Sequence, residues 1–287
     1  MKAVSMFSVP VLILISILVG VLGSLTGLGG ASILVPILVL CGIPMKEAVA
    51  STMATIIATS ASSSVFNLRN RIANVRIALY LEIFTVTGAI IGATITKLIS
   101  PVYLYFFFAA FLLTSFMRVG IFRRIVLERL LSPSKELDRF SRFLNLNGSY
   151  IDAVRERLIE YRARNAFWGG VGMFVAGLAA GMLGIGAGAF KVTVQENILG
   201  LPPKVSSATS NLIIGMTALA ATSVYLSCGF LNLMLMAPMV VGTAIGGIIG
   251  GKILNRATDS FLRILFFTVV SILIVQMLSK GIMSLWH

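Results

Sequence analysis

Two stretches decide the fold: Gly23-Ser24-Leu25-Thr26-Gly27-Leu28-Gly29-Gly30-Ala31-Ser32, and Gly181-Met182-Leu183-Gly184-Ile185-Gly186-Ala187-Gly188-Ala189. Each interrupts an apolar run of membrane length. Glycine is a poor residue for a continuous helix and a good one for turning the backbone. Inside hydrocarbon, a broken helix is tolerated only where its freed amides are buried in protein or line a cavity. Two matched interruptions, one per half, are the sequence mark of a transporter binding site. The other reading is that these glycines only let helices pack closely.

The surrounding composition fits. The chain is 57% hydrophobic and 11% charged, with a mean hydropathy of +0.99, which belongs to a polytopic membrane protein rather than a soluble domain. The net charge of +13 suggests nucleic acid, but its distribution does not. Eleven of the 23 Lys and Arg fall between Arg118 and Arg164, as cytoplasmic loops require, and no folded basic module is visible. Cys41 and Cys228 have no CxxC partner, and the one histidine is His287. Neither a metal site nor a cofactor is called for, and the clustered residues of an enzyme are missing.

Apolar segments fall at 6–25, 31–43, 47–67, 77–98 and 102–118, then at 166–184, 189–201, 204–228, 233–252 and 259–283. The first has the look of a signal peptide, but its internal counterpart before Gly181 cannot be one, so Met6–Leu25 is read as retained. Segments 31–43 and 189–201 are too short to cross a bilayer and read as half-helices or re-entrant arms. The halves align at offsets of 157 to 158 around the breaks and the Gly42-Ile43-Pro44 and Gly200-Leu201-Pro202 turns, and at 154 to 155 for Gly88 and Gly92 against Gly242 and Gly246. The chain therefore divides into a first transmembrane repeat (1–118), a charged cytoplasmic linker (119–165) and a second repeat (166–287). If each short arm turns back, the repeats are inverted and the inside carries 18 basic residues against four; if it does not, they are parallel with 16 against six. Charge favours inversion. In the linker, Ser149 and Asp152 resemble a capping box, and Ile151, Val154, Leu158 and Tyr161 keep helical spacing, so an amphipathic helix is expected there.

The expected fold is all-α: a polytopic integral membrane protein with two repeats, each a glycine-broken re-entrant hairpin plus three spanning helices. At each break a new helix would start with unpaired N–H groups and the positive end of its dipole, a site for an anion. The candidate substrate contacts are Gly27, Gly29, Gly30 and Ser32 at the first break and Gly184, Gly186 and Gly188 at the second. Ser51 and Thr52, with Thr209, Ser210 and Asn211, would add polar groups from the following helices; bonding to their own backbone is the competing role. Glu82, Lys191 and Glu196 are charges inside apolar segments. Lys191 would balance an anion, pair with Glu196, or snorkel. Glu82 would pair with Arg76 at the membrane face or take a coupling proton. Gln195, Glu196 and Asn197 are expected at the interface. The stripes Gly88/Gly92 and Gly242/Gly246/Gly250 read as packing seams.

The pattern Gly-x-x-x-Gly-Leu-Gly-Gly-Ala-Ser-Ile-Leu-Val-Pro at 23–36, with Gly42-Ile43-Pro44 and Ala50-Ser51-Thr52, resembles that of the TauE/SafE sulfite-exporter family of membrane transporters. The second half repeats it more loosely: Gly186-Ala187-Gly188 is interrupted, and Thr193 stands where the first repeat has Pro36. The resemblance implies a secondary carrier, in a bacterial-type inner membrane, for a small anion such as sulfite or a sulfonate. The expected partners are that solute, the lipid bilayer and a coupling ion (a proton), with no nucleic acid; a homo-oligomer is left open. An anion channel, or a membrane subunit of a larger complex working through 119–165, is the alternative.

Overall fold

The computed structural model describes residues 9–26, 30–116, 141, 144, 146–152, 157–254 and parts of 264–283. Nine helices and one hairpin are described: α1 (Val9–Thr26), α2 (Ala31–Leu40), α3 (Met45–Arg69), α4 (Val75–Leu98), α5 (Pro101–Phe116), β1 (Asn147–Asp152), β2 (Arg157–Arg162), α6 (Ala166–Leu183), α7 (Gly188–Asn197), α8 (Pro203–Ser227) and α9 (Leu233–Leu254). Helices α3, α4, α6, α8 and α9 are long and apolar enough to cross a membrane. Their outward faces are leucine, isoleucine and valine, as lipid contact requires.

The duplication is visible in element lengths. Helices α1 and α6 both have 18 residues, α2 and α7 both have 10, and α3 and α8 both have 25. The repeats are interlocked: α1 packs along α9, and α4 packs along α6, so each repeat's first helix lies against the other's last described spanning helix.

Small residues make this possible. A Cβ on Gly88 would meet Phe174 and Leu178 of α6, and one on Gly246 would meet Ile17 and Val21 of α1. Reciprocally, a Cβ on Gly177 would meet Thr85, and one on Gly20 would meet Thr243. These are close-approach seams of the small-xxx-small kind. They also correct the register read from sequence. Gly88 plays the part of Gly246, and Gly92 that of Gly250, one helical turn further than the pairing with Gly242 and Gly246 suggested. Glycines spaced by four align equally well one turn out of register, and only their contacts choose.

Contacts also give helix directions. Gly88 and Gly92 meet Phe174–Leu178 and Leu178–Met182 in turn, so α4 and α6 run the same way. Gly242, Gly246 and Gly250 meet α1 in the same ascending order. Thr243 and Gly247 meet Thr55 and Thr59, so α3 also runs with α9.

The amphipathic helix expected within the linker is corrected. β1 and β2 pair antiparallel, with Tyr150 opposite Ile159 and Gly148 opposite Tyr161. The helical spacing of Ile151, Val154, Leu158 and Tyr161 competes with a period of two. Leu158 and Glu160 are exposed, while Tyr161 and Ala163 are buried, so the alternation wins. The chain is thus mostly helical but not all-α. Tyr150 and Tyr161 pack on Ile77, Leu81, Ala166 and Val205, which caps the ends of α4, α6 and α8. Residues 119–140 of the linker lie outside the described residues.

Candidate functional site

The residues that precede the two short arms share a positive φ but differ in ψ (−45° at Gly30, 31° at Ala187). Gly30 (φ 70°) precedes α2 and Ala187 (φ 49°) precedes α7, both in the positive-φ region. Gly184 and Gly186 (φ 68° and 67°) complete the second break. Residues 184–188 are all buried. At the start of α7 the Lys191 N–H donates to Ala187 O at 3.0 Å, so the helical ladder opens at the break itself. A Cβ on Gly186 would meet Ile214 at 2.7 Å, and one on Gly184 would meet Val49 at 2.6 Å. The second break is therefore wedged between α3 and α8. On the other side, the nearest groups around Gly30 include Val19 and the Thr59 hydroxyl. Gly27 and Gly29 lie outside the described residues, and Ser32 stands in the first turn of α2.

Thr59 and Thr217 hold matching places on α3 and α8, and the second carries a charge cluster. Lys191 Nζ donates to Thr217 Oγ1 at 2.8 Å. Thr217 Oγ1 lies 3.1 Å from Glu82 Oε1 and 2.8 Å from the Ile213 carbonyl oxygen. A hydroxyl has one hydrogen, so these two acceptors compete for it. Lys191 is fully buried, and Glu82 is 5% exposed. They are the two buried charged side chains among the described residues. Glu82 therefore does not pair with Arg76, which is exposed, and Lys191 does not snorkel. An isolated buried charge would carry a desolvation penalty of several kcal/mol; here opposite charges share one hydroxyl.

The remaining candidates divide. Thr52 donates to the Ala48 and Val49 carbonyls of its own helix. Thr209 accepts from the Asn74 N–H at 3.1 Å and so holds the start of α4. Ser51 Oγ, Ser210 Oγ and Asn211 Nδ2 are buried without a hydrogen-bond partner. The Asn211 carbonyl accepts from Ser60.

Sequence reasoning missed two more groups of this kind. Gln195, expected at the interface, is fully buried with neither amide atom partnered. It lies one turn past Lys191 on the same face of α7. Asn67 and Ser64 of α3 are likewise buried and unpartnered. Buried polar atoms nearly always have partners, so this set marks the α3–α7–α8 region as a place for polar contact. The four-residue step from Lys191 to Gln195 was the available signal.

A separate cavity of about 690 Å³ lies beside the hairpin, lined by Asn147, Glu160, Tyr161, Arg162, Arg164 and Pro202 among others. Asn74 Nδ2 latches the hairpin there, donating to Asn147 O and to the Tyr161 hydroxyl. Burial pushes the Tyr161 hydroxyl above its ordinary value, and the Asn74 bond partly offsets this.

Comparison with known proteins now adds to this geometry. The family described as "Sulfite exporter TauE/SafE" matches residues 12–277. The chain is 26% identical to the Bacillus subtilis (strain 168) "Probable membrane transporter protein YunE", over 96% of this chain and 100% of the relative. It is 24% identical to "Probable membrane transporter protein YdhB" of the same organism, over 91% and 96%. No solved structure matches it. With apolar helices long enough to cross a membrane and a family match that covers most of its length, the chain belongs to the TauE/SafE family: it is a multi-pass integral membrane transporter.

Proposed function

We propose that this transporter is a secondary carrier of a small oxyanion of the sulfite or sulfonate class, working by alternating access between two inverted repeats. The observation that carries the reading is Lys191. A wholly buried ammonium stands three residues into a half-length helix, directly after a break at which the helical ladder opens. Helix N-termini and buried cations both favour anions. The family description supports the choice of oxyanion.

Helix directions support inversion. Helix α3 runs with α9, and α4 with α8, since Asn74 meets Thr209 and Glu82 meets Thr217. The five-residue connection between α3 and α4 reverses the chain. Helices α1 and α3 then run opposite to α6 and α8, and each short arm turns back.

In this reading the solute lies between the arms. The backbone at Gly27, Gly29, Gly30 and Ser32 meets it from one side, and Gly184, Gly186, Gly188 and Lys191 from the other. Ser51, Ser210 and Asn211 add donors, with Gln195 as a further contact. Thr52 and Thr209 bear on the site through the backbone they hold.

The test is uptake of radiolabelled sulfite and taurine into proteoliposomes holding the purified protein. Saturable uptake that Lys191→Met abolishes, with the variant folded by gel filtration, supports the carrier. Unitary currents in planar bilayers would point to a channel. No flux without additional proteins would point to a subunit of a complex. Lys191→Met is a cleaner probe than Gly186→Val, whose side chain would collide with Ile214.

A further inference from the structure

We infer that Glu82 is a tethered stand-in for the transported anion: solute takes Lys191 from it, and Glu82 then takes up one proton, so that each monoanion moves with one proton. This rests on the reading that Lys191 contacts the solute.

One hydroxyl, that of Thr217, links the two charges. Lys191 Nζ reaches Glu82 through Thr217 Oγ1, at 2.8 Å and 3.1 Å. That hydrogen has a second acceptor at hand, the Ile213 carbonyl at 2.8 Å. A small rotation of Thr217 transfers its hydrogen bond from Glu82 to its own helix and uncouples the carboxylate from Lys191.

The repeats make the arrangement one-sided. At the matching position of α2 stands Leu34, buried and apolar. The frame is symmetric and the charge is not, so the ion pair is an addition to the frame and not a requirement of it.

Now let an anion approach the second arm. Lys191 exchanges one carboxylate counter-ion for one solute charge. Glu82 is left buried beside the neutral Thr85 hydroxyl, and among the described residues the groups around it offer no second cation. Helix α6 carries no titratable side chain along its length. Helix α8 carries Lys204 and Tyr225 near its two ends, and the Tyr225 hydroxyl donates to the Gly181 carbonyl. Helix α7 adds Glu196, of the same sign as Glu82. On α4, Arg76 is exposed, and the Tyr80 hydroxyl donates to the Ala166 carbonyl. The hairpin brings Tyr161, engaged with Asn74. A buried carboxylate that loses its only cation neutralises by binding a proton. The balance is simple: one solute anion in, one proton onto Glu82, and Lys191 charged throughout. Net charge in the site changes by zero.

The probe is methanesulfonate, a monoanion that does not titrate near neutral pH, added to the purified full-length protein in nanodiscs. Calorimetry in two buffers of different ionisation enthalpy reads the protons taken up per solute bound. About one proton is expected, and the dissociation constant should rise about tenfold per pH unit in the range where free Glu82 is ionised. In E82Q, binding should persist with uptake near zero and a flat pH profile. Binding without proton uptake in the wild-type protein, or equal uptake in E82Q, overturns the exchange and leaves the anion carrier standing. Failure of both methanesulfonate and sulfite to bind overturns the exchange and the carrier reading together. Should E82Q not fold, the pH slope of the wild-type protein decides alone: no dependence overturns the inference.

Discussion

Gly30 and Ala187 occupy the same place in the two repeats, each at positive φ and each immediately before a ten-residue helix. One repeat has glycine there and the other has alanine, in a conformation that L side chains adopt at a penalty of about 1–2 kcal/mol.

That difference can be measured directly. Ala187→Gly should raise stability by up to about 1 kcal/mol through relief of backbone strain. Gly30→Ala should lower it by at least as much, because Gly30 (φ 70°, ψ −45°) lies outside even the left-handed helical region, and the nearest atoms to its new Cβ are 3.5 Å away, so the effect is conformational rather than steric. Thermal unfolding in detergent checks both. Equal shifts of the same sign would show that the two breaks are not equivalent backbones.

The buried charges should behave as a unit. Glu82→Gln or Lys191→Met alone leaves one charge in the bundle without its counterpart, which costs about 3–5 kcal/mol. The double variant removes both charges and should recover most of that loss. A double-mutant cycle on unfolding free energy reads the coupling; additive losses would mean that the two groups do not sense each other through Thr217.

Gln195 should trade stability against binding. Its amide is buried without partners, and the first repeat has buried Leu38 at the equivalent position. Gln195→Leu is therefore expected to stabilise the protein by about 1–3 kcal/mol, the desolvation penalty of an unmade hydrogen bond. The same change should weaken sulfite uptake. A variant that is more stable and fully active would remove Gln195 from the binding region.

The hairpin latch gives a pH signature. Burial raises the Tyr161 hydroxyl above its ordinary value. A group whose folded value is raised lends stability that is complete below its unfolded value and falls away above it. The loss should thus begin above a pH of about 10, the ordinary tyrosine value. Tyr161→Phe should abolish that alkaline loss, and at neutral pH should cost about 1 kcal/mol for the hydrogen bond from Asn74. Unfolding temperature against pH, wild type beside variant, checks the sign.

Much of this molecule was legible in the chain. Segments 31–43 and 189–201 became α2 and α7, because a half-length apolar run after a glycine break has few other places to go. The hairpin was not legible, since Tyr161 fits both a helical and an alternating pattern and only burial against Ile77 and Leu81 selects one. Of the candidate site, the places where helices stop and restart, and a charge at Lys191 inside an apolar segment, were readable. Its partner was not. Glu82 and Lys191 are 109 positions apart, and nothing local says that α4 and α7 bring them to one hydroxyl. Asn67 escaped notice, and Gln195 was assigned to the interface, because an amide looks the same in sequence whether it faces water or lies unpartnered inside.

The crossing of α1 onto α9 and α4 onto α6 has a developmental side. Neither half owns a complete glycine groove, since the ridge that fills it is synthesised with the other half. The first five helices must wait in the bilayer, grooves open, until ribosomes deliver their complements. Separately produced halves would then be obligate companions, short-lived alone and able to rebuild the carrier only by finding each other.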